Sequence, residues 1–465
     1  MQEMIDRGEG AIERTRSVHV AVSAVMSNAG EATRALSLAR ALRGTCPVGV
    51  RLTVSFLSQG GRFDAAAAEA GFAMVPCRPQ FRGENAMQDL QRDLPELVGS
   101  EQIARDLIEG QLAALRALGP DAVLHGFWPF AGIAARLLGL PNIAFLPLPL
   151  VRSCIAGGMF PDLPDEAGPA ARLPRPVRHR LAKAGSTLMT RAPFFHQRRL
   201  GAAAATCGWP TSGPLPLWEA NRAALTVIND LPAFHTGYPL PENVVVTGPV
   251  FPGCETLRED GDQEAEPDPQ IAAALHRDGR PAVLVAMGSS GSRQALLEAA
   301  RAVAPTDRDR WNVVILVPPA VCGTDEVHAA AGGGPHVLVT DRFVPALAVT
   351  RLADVVVGHG GQGTVQTTMA AGTPMIGIGT VLEQQVNLEH VRQAGAGLRV
   401  QQHRWRAPVV RRAIRTVLAD PAYRRHAQEL AASIRTQDGP GTAAERMWEY
   451  LLGHPSPVPV PVPGA

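Results

Sequence analysis

The chain has 465 residues, 46% of them hydrophobic, which is enough apolar material for two domains of roughly 200 residues each. A formal net charge of +1 with only 5% aromatic residues excludes a role in coating nucleic acid. Six cysteines at scattered positions, with no C-x-x-C spacing, argue against a disulfide framework or structural zinc site and point to a reducing cytoplasm.

The opening MQEMIDRGEGAIERTRS is charged and has no apolar core, so it does not read as a signal peptide. Nowhere do roughly 18 apolar residues run unbroken, as a membrane-spanning helix needs. Val18 to Ser23 reads as a buried first strand, and Gly30 to Leu42 as a helix with Leu36, Leu38, Ala39 and Leu42 at helical spacing. Further strands are predicted at Val50–Leu57, Phe72–Val75, Asp121–Leu124 and Asn142–Leu146, with a helix over Ala131–Leu138. Residues 151–220 are rich in Pro, Gly and Arg and read as helices and loops. Strands resume at Ala224–Ile228 and Val244–Val246, and an acidic, proline-containing stretch from Glu255 to Pro269 marks a linker.

The second half restarts the rhythm, with strands at Ala282–Ala286, Val313–Val317, Val337–Thr340, Val355–Val357 and Met375–Ile378. Alternation of strands and helices predicts an α/β protein of two facing, doubly wound, Rossmann-like domains with a cleft between them. The boundaries expected are 1–250 for the first domain, 251–270 for the linker, 271–453 for the second domain and 454–465 for a free tail. The tail sequence PSPVPVPVPGA favours an extended polyproline conformation.

Val355-Val356-Val357-Gly358 runs into His359-Gly360-Gly361-Gln362-Gly363-Thr364 and then into a helical stretch. Free N–H groups and the dipole at a helix N-terminus favour an anion, and glycines let the backbone approach a diphosphate closely. The bland alternative is a tight turn that needs glycine for packing alone. A second loop, Gly288-Ser289-Ser290-Gly291-Ser292, follows the second domain's first strand and should face the same crevice.

The HGGxGT run, followed by Gly372-Thr373-Pro374 and Glu383-Gln384-Gln385-Val386-Asn387, resembles the GT-B glycosyltransferases. Within these, the resemblance is to the family of UDP-glycosyltransferases and antibiotic (macrolide-type) glycosyltransferases. It implies transfer of a sugar from a nucleoside diphosphate to a small acceptor such as a bacterial secondary metabolite, by inversion and without a metal. The nucleotide sugar is then a co-substrate, and no other cofactor is implied. Carried onto this sequence, His359, Gly360, Gly361, Gln362, Gly363 and Thr364 would hold the diphosphate, helped by Ser289 and Ser290. Phe343 falls where an aromatic stacks on the base, Val344 offers backbone contacts, and Glu383 with Gln384 would bind sugar hydroxyls.

Two departures stand out. The family's catalytic histidine position is Glu31 here, and its partner aspartate position is Gly126. Glu31, desolvated in the cleft, could serve as base itself, or it could pair with His125 as an exchanged carboxylate–imidazole couple. Alternatively the acceptor ionises readily and needs little help, or catalysis is lost and an auxiliary nucleotide-sugar-binding protein remains. Thr367 replaces the glutamate that grips ribose in many UDP-dependent relatives, leaving UDP, dTDP and GDP sugars open.

Residues 167–218 carry no Asp or Glu but many cations, including Arg172, Arg175, Arg178, Arg180, Lys183, Arg191, Arg198 and Arg199. They suggest an anionic acceptor, peripheral contact with an acidic membrane, or a solvated basic helix packed on the first domain. Trp128 and Phe130 could line an apolar acceptor pocket or sit in the core. Acceptor identity and oligomeric state are not legible in the sequence.

Overall fold

β-branched runs form strands where both faces can be buried, and Val355-Val356-Val357 does so at the centre of one of the two main sheets. The computed structural model describes residues 16–81, 86–251, 266–288, 291–308, 310–319, 321–453 and 460–463. In the first half lie β1 (Arg16–Ser23), β2 (Val50–Ser58), β3 (Ala73–Pro76), β4 (Ala122–His125) and β5 (Asn142–Leu146). A short ribbon, β6 (His196–Gln197) with β7 (Leu215–Pro216), precedes β8 (Leu225–Ile228) and β9 (Val244–Val246). Apart from the ribbon these strands make one parallel sheet in the order β3-β2-β1-β4-β5-β8-β9.

The second half holds β10 (Ala282–Ala286), β11 (Asn312–Leu316), β12 (Val337–Thr340), β13 (Val355–Gly358), β14 (Met375–Gly377) and β15 (Gly397–Arg399). They form a second parallel sheet, ordered β12-β11-β10-β13-β14-β15. Strand alternation sends Val20, Val22 and Phe56 to one face of the first sheet and Ala21, Leu57 and Val123 to the other. Both faces are covered by helices, which is the doubly wound architecture expected.

The last helix, Gly439–Gly453, does not stay with the second domain to which the sequence boundary at 453 assigned it. Ala443, Ala444, Met447, Trp448 and Leu451 pack into the first sheet's core beside the helix Ala29–Gly44. Trp448 Nε1 donates to the Leu42 carbonyl at 3.1 Å, and Arg16 donates to that of Leu451 at 2.9 Å. An amphipathic helix encodes a buried face but not the domain that buries it. Most of the expected linker lies outside the described residues; its end is ordered, since Pro269 begins a helix capped by Asp268. Residues 460–463 of the expected free tail lie against the first domain, where Arg136 donates to the carbonyls of Val460 and Pro461.

Trp448→Ala should destabilise the protein by about 3–5 kcal/mol, the range for emptying a buried aromatic site. Trp448→Phe should lose less, because the ring stays and only one hydrogen bond goes. Denaturant unfolding monitored by circular dichroism measures both; equal, small effects would deny the helix its place in the first core.

Candidate active site

The strand order of the second sheet reverses between β10 and β13, so the loops leaving these two strands diverge and open a crevice. After β13 the chain passes through His359 and Gly360 to Gly361, which caps the helix Gln362–Ala370 without any side-chain hydrogen bond. Gly360 takes a φ of +71°, and a Cβ there would press on Leu388 Cγ at 2.6 Å. Asn387 Nδ2 fastens the loop by donating to the Gly360 carbonyl at 3.1 Å. The glycines therefore do two jobs: they turn the chain and they pack the loop on the helix Leu382–Gln393.

His359 is buried beneath the loop after β10, with its ring against Gly288, where a Cβ would overlap it. Burial lowers its pKa to about 4, and its Nδ1 has no partner. The neutral ring can give or take one hydrogen bond but brings no charge. Ser289 and Ser290 lie outside the described residues. Phe343 is 99% exposed on the segment between β12 and the helix Ala346–Arg351, while Val344 beside it is buried. A flat apolar ring in open solvent suits a stacking platform better than a core position.

Glu383 is half-buried, and its carboxylate accepts from the Gln362 N–H and from Asn387 Nδ2, the latter at 2.7 Å. Desolvation raises its pKa, against the opposing pull of Arg34. Gln384 points elsewhere: its Oε1 accepts from the N–H and hydroxyl of Thr380, each at 2.9 Å. That contact orders the loop entering the helix, so Gln384 acts here on Thr380.

Across the cleft, Glu31 sits in the first turn of the helix Ala29–Gly44 and is 7% exposed. Its Oε1 accepts from the Val25 N–H at 3.2 Å. Desolvation raises its pKa, with Arg34 and the Val25 N–H opposing. The side chain lies directly over Gly126, so that a Cβ at 126 would overlap the Glu31 carboxylate. The two departures from the family pattern are thus one: the longer acid at 31 fills the space that a side chain at 126 would need.

The exchanged pair with His125 does not form. His125 is fully buried, its Nδ1 faces the Gly126 carbonyl at 2.9 Å and its Nε2 faces Asn142 Nδ2 at 3.4 Å. Its ring packs towards Gly132, and burial lowers its pKa to about 4. Both nitrogens face partners inside the first domain, as the alternation of side chains along β4 requires.

Of the side chains that join the two walls, Gln362 was singled out from sequence, as a diphosphate ligand, and its partners were not. Arg34, one turn beyond Glu31, is 8% exposed, and its Nη1 donates to Gln362 Oε1 at 2.9 Å. Gln362 Nε2 donates in turn to the Pro147 carbonyl at 3.1 Å. Below them Gln366 Nε2 donates to the Asn229 carbonyl at 2.7 Å and to Asp230 at 3.2 Å. Asp230 also faces His235 Nε2 at 2.9 Å. Helical spacing from Glu31 was the available signal for Arg34.

Part of the basic segment serves the same junction. Arg178 donates to both oxygens of Asp162, at 3.0 and 2.7 Å, and Arg399 donates to Asp162 and Asp165 at 3.2 and 2.7 Å. Arg199 pairs with Asp93 at 3.0 Å. Arg178 and Arg199 are therefore engaged within the protein and do not await an anionic acceptor. Trp128 and Phe130 are core residues, 2% and 0% exposed, with ring centroids 4.7 Å apart.

Residues 328–450 match the erythromycin biosynthesis protein CIII-like C-terminal domain. A PGL/p-HBAD biosynthesis rhamnosyltransferase of Mycobacterium bovis (strain BCG / Pasteur 1173P2) is 28% identical over 335 residues, spanning 70% of this chain and 66% of that protein, just under two thirds of it. The glycotransferase of kitacinnamycin superposes with a TM-score of 0.60 at 22% identity, covering 93% of this chain and 99% of its own. A spinosyn rhamnosyltransferase complexed with thymidine diphosphate gives 0.56 at 18% identity, over 93% and 100%. The chain shares the two-domain fold of these glycosyltransferases. In this fold the glycine loop lies in the second domain and Glu31 in the first, one on each wall of the cleft.

The overlap at Gly126 predicts a non-additive pair. Gly126→Asp alone should destabilise by about 1–3 kcal/mol through overpacking, and Glu31→Ala should relieve most of that loss. Thermal unfolding of the two single variants and the double variant measures the coupling. Equal destabilisation by Gly126→Asp in both backgrounds would place Glu31 elsewhere.

Proposed function

We propose that the chain is an inverting, metal-independent glycosyltransferase that moves a sugar from a nucleoside diphosphate to a small-molecule acceptor. The observation that carries this reading is the helix N-terminus at Gly361–Gln362, set at a strand-order switch beside a neutral buried His359, where the Gln362 N–H already meets a carboxylate, that of Glu383. Thymidine diphosphate is the donor nucleotide we favour. Its support is the complexed spinosyn relative and Thr367 in place of the ribose-binding carboxylate. The mycobacterial and spinosyn rhamnosyltransferases favour a deoxyhexose as the sugar. The acceptor class we favour is a secondary-metabolite or lipid-linked hydroxyl compound. The protein would work in the cytoplasm, where Cys46, Cys77, Cys154, Cys207 and Cys322 stay as the free thiols they are here.

In the reaction the acceptor oxygen forms a bond to the anomeric carbon from the face opposite the diphosphate. The anomeric carbon–oxygen bond breaks, and its electron pair stays on the departing phosphate oxygen. Glu31 receives the acceptor's proton, acting alone where relatives use two residues. Phe343 stacks on the base, and Glu383 accepts hydrogen bonds from sugar hydroxyls. Gly361 to Gly363 hold the diphosphate with backbone N–H groups and a helix dipole, so the charge is met without a metal ion.

A base must be ionised to work, so activity should fall as pH drops through the raised pKa of Glu31. The acid limb of kcat/KM is expected above the ordinary value of 4.5 for a glutamate. Glu31→Gln should lower turnover by about 10²- to 10⁴-fold and remove that limb. Its fold should persist, because the neutral amide matches the form that burial favours. The pH profile of transfer from thymidine, uridine and guanosine diphosphate sugars tests this. An unchanged rate and limb in Glu31→Gln would remove Glu31 from the chemistry.

A further inference from the structure

Arg34 is more deeply buried than a surface arginine, and its environment is unbalanced. Its Nη1 reaches Gln362, the first residue of the helix that follows the glycine loop, while its Nε is buried without a partner. Three carboxylates, Glu31, Glu383 and Asp230, act on it electrostatically. Asp230 is held by the Leu231 N–H, His235 and Gln366. Glu31 is held by the Val25 N–H, and Glu383 by the Gln362 N–H and Asn387. The niche between Arg34 and the helix N-terminus already attracts a carboxylate, that of Glu383, so it is built to take an anion.

His359, the titratable side chain of the loop, is uncharged in its buried setting. Arg34 is therefore the full positive charge that reaches this loop through a hydrogen bond among the described residues. It comes from the first domain, while the loop and its N–H groups belong to the second.

We propose that Arg34 is a ligand of the donor diphosphate, a cation delivered to the glycine loop from the opposite wall of the cleft. This rests on the donor reading above and adds to it the charge that the loop itself lacks. When the bond to the anomeric carbon breaks, its electron pair stays on the diphosphate, which gains one negative charge. The N–H groups of Arg34 donate to that diphosphate; the guanidinium keeps its protons, and the acceptor's proton goes to Glu31. Because Arg34 and the loop sit on different domains, the diphosphate meets its complete set of partners only where the two walls meet.

Isothermal calorimetry with thymidine diphosphate and thymidine monophosphate on the full chain tests this. Arg34→Gln should weaken the diphosphate by about 10- to 100-fold, as expected for losing a charge-assisted hydrogen bond, and the monophosphate by less. Arg34→Lys keeps the charge but loses the fork, and should fall between Arg34→Gln and the wild type. If Arg34→Gln fails to fold because buried carboxylates are left unpaired, Arg34→Lys carries the test through the diphosphate-to-monophosphate ratio. A purely structural arginine would lower stability and leave that ratio unmoved, and an unmoved ratio in the folded variants overturns the proposal. A wild-type chain that binds none of thymidine, uridine and guanosine diphosphate would instead overturn the donor reading beneath it.

Discussion

Gln362 is held from the first domain on both sides of its amide, by Arg34 at its oxygen and by the Pro147 carbonyl at its nitrogen. The residue opens the helix whose N-terminus is the proposed anion site, so these bonds fix where that site sits relative to Glu31. Gln366, one turn later, adds two donations from its Nε2, to the Asn229 carbonyl and to Asp230. Neutral amides suit this task, since they make these bonds without adding charge to a crowded interior. A charged residue at 362 would have to be desolvated as well as paired.

Burial then sorts the titratable groups of the cleft. His359 is kept neutral beneath its glycines, and Glu31 and Glu383 are pushed towards their protonated forms. Arg34 works against that push on both acids, which makes it the electrostatic hinge of the site. A diphosphate entering here would change the balance for each of these groups together, because all of them lie within a poorly solvated volume. The acid and the glycine at positions 31 and 126 belong to the same logic. A second carboxylate at 126 would meet the first, both sterically and as a like charge.

Much of this was legible in the sequence, for reasons that differ from element to element. Strands such as Asn142–Leu146 and Val337–Thr340 carry their burial in β-branched and apolar runs, and their predicted bounds match the structure. β15 escaped because Gly397-Leu398-Arg399 is too short to show a period. The glycine loop was legible because a strand, three glycines and a helix occur in one continuous run. The bridge from Arg34 to Gln362 was not, since it joins residues 328 positions apart. Gly126 is a different case: in sequence it reads as a missing aspartate, and only its contact with Glu31 reveals a fitted position. Arg178 shows the opposite error, a cation that looked free until Asp162 was found beside it.

The proposed reaction needs an anion to bind where the two domains meet at Gly361–Gln362. A crystal structure of the chain with thymidine diphosphate bound tests it most directly. Diphosphate oxygens within hydrogen-bond distance of the backbone N–H groups of Gly361 to Gly363, with the base beside Phe343, are the predicted result. A nucleotide bound elsewhere, with those N–H groups still facing Glu383 or solvent, would contradict it.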